Sequence, residues 1–207
     1  MNASYHAHFE PGSDPAAPPL LLLHGTGGDE RSLLSLGRAL SPDSALLSPR
    51  GDVNEHGALR FFRRFAEGVF DLDDVRRRTH ALADFIADAE TRHGLGTGRL
   101  VAVGFSNGAN IAATLLQLRP ASLAGAVLLR AMVVLDTPAA PHTLEGKRVL
   151  LASGAADPIV TPDHPPRLAA LLRAGGAAVT EKVFPTGHSL TQADVTAAQA
   201  FLRGTAG

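Results

Sequence analysis

Cysteine is missing from all 207 residues. Disulfides, thiolate metal sites and a cysteine nucleophile are therefore excluded. An excess of one charge is missing too: Lys and Arg number 19 against 20 Asp and Glu, for a net charge of −1. That balance excludes a nucleic-acid partner held by a basic surface. No apolar run approaches the roughly 20 residues that span a bilayer, so no membrane insertion is expected. The opening residues, Met1-Asn-Ala-Ser-Tyr-His6, lack a basic stretch followed by an apolar one. No secretion signal is read there, and the expected location is cytoplasmic. No internal repeat is present. His6, His8, His56, His80, His93 and His142 show no mutual ligand spacing, and no metal is expected.

What the chain does have is 45% hydrophobic residues, enough for a globular core. Its length suits a single domain over residues 1–207. Short apolar runs stopped by glycine or proline predict strands over 5–10, 19–24, 44–48, 100–103, 124–129, 148–153 and 178–184. Apolar positions three and four apart predict helices over 72–93, ended by Gly94, and over 107–118, stopped by Pro120. Asp29 is placed to cap a helix through residue 40, and Pro162 to open one through 173; a closing helix is read over 191–202. Strands that alternate with helices predict the α/β class, with a mostly parallel central sheet and helices on both faces. Nearly every stretch is assigned to this core, so no large cap domain is expected. Sheets of this kind take ligands at the carboxyl ends of their strands. Gly25, Ser106, Asp157 and His188 each follow a predicted strand end.

The chemistry gathers on Gly104-Phe-Ser-Asn-Gly108. Between an apolar strand and a helix, this G-x-S-x-G pattern reads as a nucleophile elbow with Ser106 at the corner. Glycine on both sides removes side chains that would meet neighbouring backbone. The same pattern would also serve an ordinary strand-turn-helix whose serine caps the helix. A serine hydroxyl is a poor nucleophile near neutral pH and needs a base, which in turn needs an orienting carboxylate. Asp157, in Ser153-Gly-Ala-Ala-Asp157-Pro, and His188, in Phe184-Pro-Thr-Gly-His188-Ser, supply the order serine, acid, histidine. Asp136 and Asp163 are rivals for the acid, and His164 for the base. An oxyanion hole needs two fixed N–H donors. Asn107 directly after the serine would give one, and Thr26 in His24-Gly-Thr-Gly-Gly28 the other. No Lys-Ser/Thr pair follows that glycine loop, which sets it apart from a nucleotide-binding P-loop.

Six motifs carry a resemblance over residues 18–203: Leu23-His-Gly-Thr-Gly-Gly28, Ser48-Pro-Arg-Gly51, Arg60-Phe-Phe-Arg63, Gly104-Phe-Ser-Asn-Gly-Ala-Asn110, Gly154-Ala-Ala-Asp157-Pro and Gly187-His188. In this order they resemble the phospholipase/carboxylesterase family of α/β-hydrolases. The likeness is greatest to its small bacterial carboxylesterase-like branch, which includes hydroquinone-response hydrolases. The resemblance implies a single-domain α/β-hydrolase fold and a cofactor-free serine esterase with little or no lid. It puts the triad on Ser106, Asp157 and His188 and the oxyanion amides on Thr26 and Asn107. Acyl-protein thioesterases, more distant relatives, usually carry Gln after the nucleophile, where this chain has Asn107.

Residues 51–71 have no clean period but hold four of the nine phenylalanines. A long irregular stretch after a strand end belongs over the site. Two roles are open to it. Phe61 and Phe62 would line an acyl pocket while Arg60 or Arg63 meets a negative group on the substrate. Alternatively, the phenylalanines pack onto the core and the arginines pair with Glu67 or Asp71. The expected substrate-binding set is Phe61, Phe62 and Arg63. The expected partner is a small or medium soluble acyl ester or thioester, with no nucleic acid; a homodimer is the assembly a small, exposed hydrolase allows. Two other readings fit the same fold: a non-catalytic small-molecule binding protein and a C–C hydrolase acting on aromatic-ring products.

Overall fold

A computed structural model describes residues 5–204. Residues 1–4, on which part of the expectation about a leader rests, lie outside them, as do 205–207. The elements in chain order are β1 (Ala7–Glu10), β2 (Leu20–Leu23), α1 (Leu34–Leu40), β3 (Leu46–Pro49), β4 (Val53–Glu55), β5 (Ala58–Arg60), β6 (Arg64–Ala66), β7 (Val69–Phe70), α2 (Leu72–His93), β8 (Val101–Phe105), α3 (Asn107–Leu118), β9 (Gly125–Leu129), β10 (Arg148–Gly154), α4 (His164–Ala174), β11 (Ala178–Phe184) and α5 (Gln192–Arg203).

The side-chain period of two along a strand sorts the apolar runs onto two cores. Leu21 and Leu23 of β2 join Ala102, Ala126, Leu128, Val149 and Leu151 on one face of the sheet. Leu20 and Leu22 join Val101, Val103, Val127, Leu129, Leu150 and Ala152 on the other. Helices α2, α3 and α4 close the first core and α1 and α5 the second. That is why these strands read as unbroken apolar runs and not as alternating ones. The sheet has seven strands in the order β1-β3-β2-β8-β9-β10-β11. All pairs are parallel except β1 with β3. Ser106, Asp157 and His188 leave it at the carboxyl ends of β8, β10 and β11.

Helix α2 starts where Asp71 accepts a bond from the Asp74 amide and ends at Gly94, whose φ of 64° suits a residue without Cβ. Its seam with α3 carries a buried polar pair, Thr79 Oγ1 to Thr114 Oγ1 at 2.7 Å. Several predicted extents shift by a few residues, and two of the helix starts have a clear local cause. The helix expected from Asp29 begins only at Leu34. The Asp29 carboxylate instead accepts from the Arg31 amide and the Ser32 hydroxyl, holding residues 29–32 in a tight turn. Helix α4 begins at His164 and seats Pro165 and Pro166 in its first turn, where their missing N–H groups are not needed. Residues 51–71, unread as structure from the sequence, contain two small antiparallel hairpins, β4–β5 and β6–β7. Among the described residues no helix is long and apolar enough to cross a membrane.

The turn after β2 is tied to the end of β3 by one ion pair. Arg50 donates from Nε to Glu30 Oε2 at 2.5 Å and from Nη2 to Oε1 at 2.8 Å. These bonds hold the Glu30 carboxyl down at about 2, against an ordinary 4.5. An acid lowered on folding stabilises the folded state above its unfolded value, and that contribution fades as pH falls through the folded one. Glu30→Gln is therefore expected to lower the melting temperature at pH 7, by about 2–4 °C per kcal/mol lost. The gap to wild type should narrow between pH 4.5 and about pH 2. Thermal melts across that range check it; a constant gap would contradict it.

Candidate active site

Strand β8 turns into α3 at Ser106, whose φ of 51° and ψ of −116° no helix or strand residue adopts. The two flanking glycines make the turn possible. A Cβ on Gly104 would come within 2.5 Å of the Gly108 carbonyl oxygen, and one on Gly108 within 1.9 Å of the Leu23 oxygen. The elbow is thus pressed onto the end of β2, where the glycine loop begins. Ser106 does not cap α3 with its side chain. Its hydroxyl lies 2.9 Å from His188 Nε2.

His188 Nδ1 lies 2.8 Å from Asp157 Oδ2. A carboxylate only accepts, so Nδ1 carries the proton and Nε2 is free to accept from Ser106. The Asp157 side chain is fully buried, and its other oxygen accepts from the amides of Ile159 at 2.8 Å and Val160 at 3.1 Å. Burial pushes its carboxyl up; those amides and the His188 ring outweigh this and hold it below the usual range. It therefore stays ionised beside the imidazole. The loops of Asp157 and His188 also hold each other: the Ala155 amide donates to Phe184 O and that of Ala156 to Thr186 O. A Cβ on Gly154 would strike the Gly187 and Thr186 carbonyl oxygens at 2.3 and 2.5 Å.

The glycine loop faces the elbow. The Gly27 and Gly28 amides are spent on Leu59 O and Gly25 O, and that of Ser106 on Leu129 O. Among the described residues no backbone carbonyl takes the amides of Thr26 or Asn107, and both residues line the cleft with Ser106. The loop is fixed by His24. Its Nε2 accepts from the Gly51 amide at 2.9 Å, so its Nδ1 carries the proton to Gly25 O at 2.7 Å. Burial lowers the pKa of this imidazole, which keeps it in the neutral form those two bonds require.

The cleft above Ser106 and His188 measures about 290 Å³. Phe70, Phe105, Met132, Ile159 and Val160 give it an apolar side; Arg60, Arg64 and Glu67 give it a polar one. Arg130 closes its floor. This side chain is fully buried, and its positive φ of 59° turns the chain sharply after β9. It forms a bidentate pair with Asp194, at 2.7 and 2.9 Å. It also donates to the carbonyls of Gly187 and Ser189, on either side of His188, and to Ala152 in β10. Asp194 in turn forms the capping box of α5 with Thr191.

Residues 5–206 match the model of the phospholipase/carboxylesterase family. The chain belongs to this family. It is similar to MhqD of Bacillus subtilis (strain 168), named as a hydrolase, with 47% identity over 173 residues, covering 84% of this chain and 86% of MhqD. The crystal structure of the Bacillus cereus carboxylesterase superposes with a TM-score of 0.94 at 41% identity, over 98% of this chain and 95% of that one. The structure of YahD with malic acid does so with 0.91 at 30% identity, over 98% of this chain and all 100% of YahD. The family and these neighbours make the chain an enzyme of the esterase-type hydrolases with the α/β-hydrolase fold.

In this family member, Ser106, Asp157 and His188 meet in one hydrogen-bonded row with Thr26 and Asn107 beside it. The rivals stand elsewhere. Asp136 and Asp163 both pair with Arg167 at the surface, and His164 Nδ1 accepts from the Val133 amide. The expected substrate-binding set is corrected. Phe61 and Phe62 are fully buried and belong to the core beneath α2, where Phe61 packs on His24 and Phe62 on Phe70. The Asn107 side chain pulls this stretch inward by accepting from the Phe61 amide at 2.8 Å. Arg63 points outward to Asp71, at 2.6 Å, and is absent from the cleft. Arg60, Phe70, Met132 and the Arg130–Asp194 pair went unassigned or undecided in the sequence. A charged residue directly after an apolar strand was the available signal for Arg130.

Removing one member of a buried ion pair costs about 3–5 kcal/mol, whereas replacing both by apolar groups is often neutral. Asp194→Leu is expected to lower stability by that amount in urea denaturation. Arg130→Met combined with Asp194→Leu should regain most of it. Ester turnover should nonetheless stay down by about 10²-fold, the scale of a 1 Å misplacement, because the carbonyls beside His188 lose their donor. Wild-type turnover in the double variant would refute the positioning role.

Proposed function

We propose that the chain is a serine carboxylesterase of the cytoplasm, hydrolysing small or medium soluble acyl esters, thioesters among them, through an acyl-enzyme. The observation that carries this reading is the row Ser106 Oγ, His188 Nε2, His188 Nδ1 and Asp157 Oδ2, with links of 2.9 and 2.8 Å. Ser106 attacks the acyl carbon while His188 Nε2 takes its proton. The carbonyl oxygen, now negative, is met by the amides of Thr26 and Asn107 at the end of the cleft nearest the elbow. The first turn of α3 adds the positive end of its dipole there. His188 then gives its proton to the departing alkoxide or thiolate, leaving the acyl group on Ser106. Water repeats the sequence: His188 takes its proton, the oxygen attacks the acyl carbon, and the proton returns to Ser106 as the acid leaves. Asp157, ionised throughout, keeps the imidazole in the required tautomer and offsets its transient charge.

The size of the cleft supports a short acyl group over a long lipid chain. YahD was solved with malic acid, a molecule of comparably small scale.

Wild type is expected to hydrolyse p-nitrophenyl acetate and butyrate and to be labelled at Ser106 by a fluorophosphonate probe. Ser106→Ala should lose both. Asp157→Asn should lower kcat by a factor on the order of 10⁴ with the fold intact. Equal rates in wild type and Ser106→Ala would reject the nucleophile, and an undiminished Asp157→Asn would reject the orienting acid.

A further inference from the structure

Arg60 ends β5, and its side chain is only 3% exposed, yet it forms part of the cleft wall with Ser106 and His188. A guanidinium held out of water needs its charge matched and its five donors used. Here both needs are met only in part. Nε donates to Phe62 O at 3.2 Å and Nη1 to Thr26 Oγ1, both neutral oxygens. Nη2 has no hydrogen bond among the described residues. The nearest carboxylate, Glu55, forms a loose ion pair with it, 3.6 Å from Nε and beyond ordinary hydrogen-bond reach. Both Glu55 oxygens are bound by Arg64 Nε, at 3.0 and 3.1 Å. Glu67 is also paired with Arg64. Arg130, the other buried arginine of the cleft, shows what a satisfied guanidinium looks like, with two direct bonds to Asp194.

We propose that the cleft binds substrates carrying a carboxylate within a few bonds of the scissile carbonyl, and that Arg60 recognises it. The inference rests on the esterase reading and adds the substrate's charge. The placement follows from Thr26, whose side chain binds Arg60 and whose amide is assigned to the oxyanion. A group bound at Arg60 is therefore next to the reacting carbonyl. The Phe62 ring, 5.8 Å from the guanidinium carbon, backs the cation. Burial, with Arg64 close by, pushes the pKa of Arg60 below its ordinary value; a bound carboxylate offsets that cost. A cleft of about 290 Å³ accommodates a short acid.

Binding without turnover tests it first. In Ser106→Ala, calorimetry is expected to show succinate binding at least tenfold more tightly than succinamide. Arg60→Gln in that background should abolish the preference, and Arg60→Lys should keep part of it, since the charge remains but the planar fork does not. Equal affinity for the two ligands, or a preference that survives Arg60→Gln, overturns the proposal and leaves Arg60 as a brace for Thr26. Turnover then separates the two readings. Wild type should favour monomethyl succinate over dimethyl succinate by tenfold or more in kcat/KM, chiefly through KM. Hydrolysis of both without preference defeats the carboxylate subsite alone. Succinate binding through Arg60 with no ester cleaved, and no probe label on Ser106, defeats the esterase reading alone.

Discussion

The buried pair of Arg130 and Asp194 is the constraint on which the rest of the site depends. Ser106, Asp157 and His188 come from three strand ends, and a hydroxyl-to-imidazole bond tolerates little error. Arg130 touches the surroundings of all three. Its predecessor Leu129 accepts from the Ser106 amide, its guanidinium reaches Ala152 in the strand that leads to Asp157, and its other donors grip the chain on both sides of His188. Asp194 neutralises it and anchors the last helix. Such a pair adds little net stability once desolvation is counted. What it does locally is hold the carbonyls on both sides of His188.

Close backbone contact does the same work around Ser106. The Gly108 position lies against Leu23 O, so the elbow and the glycine loop have a fixed separation. The Asn107 side chain ties the elbow to Phe61, and His24 ties the glycine loop to Gly51. Ser106, Asn107, the glycine loop and the wall of residues 51–71 are therefore tied to one another by buried bonds, of which the one to His24 Nε2 requires the neutral imidazole. The oxyanion role proposed for the Thr26 and Asn107 amides needs such ties, since donors must stand in place before charge develops.

Much of this was legible in the residues. The parallel core was, because strands buried on both faces are unbroken apolar runs. So was the chain order of Ser106, Asp157 and His188, whose side chains meet in one hydrogen-bonded row, because strand ends marked by Gly-x-Ser-x-Gly, then Asp-Pro, then Gly-His record it. The substrate wall was not. Residues 51–71 fold into hairpins of two or three residues per strand, too short to show a period. Their register is decided by a long-range bond, Phe61 to Asn107, which turns the two phenylalanines inward. Arg60 is left facing the cleft and Arg63 the solvent. Arg130 was hidden for a similar reason: its partner lies 64 residues further along the chain. Only packing α5 against the sheet brings them together.

The phenylalanine anchor has an evolutionary corollary. Phe61 and Phe62 plug the wall segment into the core between its two hairpins, while Phe65 and Val69 in the second hairpin are 75% and 53% exposed. Substitution can thus alter these exposed positions, and Glu67 between them, which lines the cleft, at little cost to folding. A lineage built in this way can diversify its substrates through a handful of residues between Val53 and Phe70.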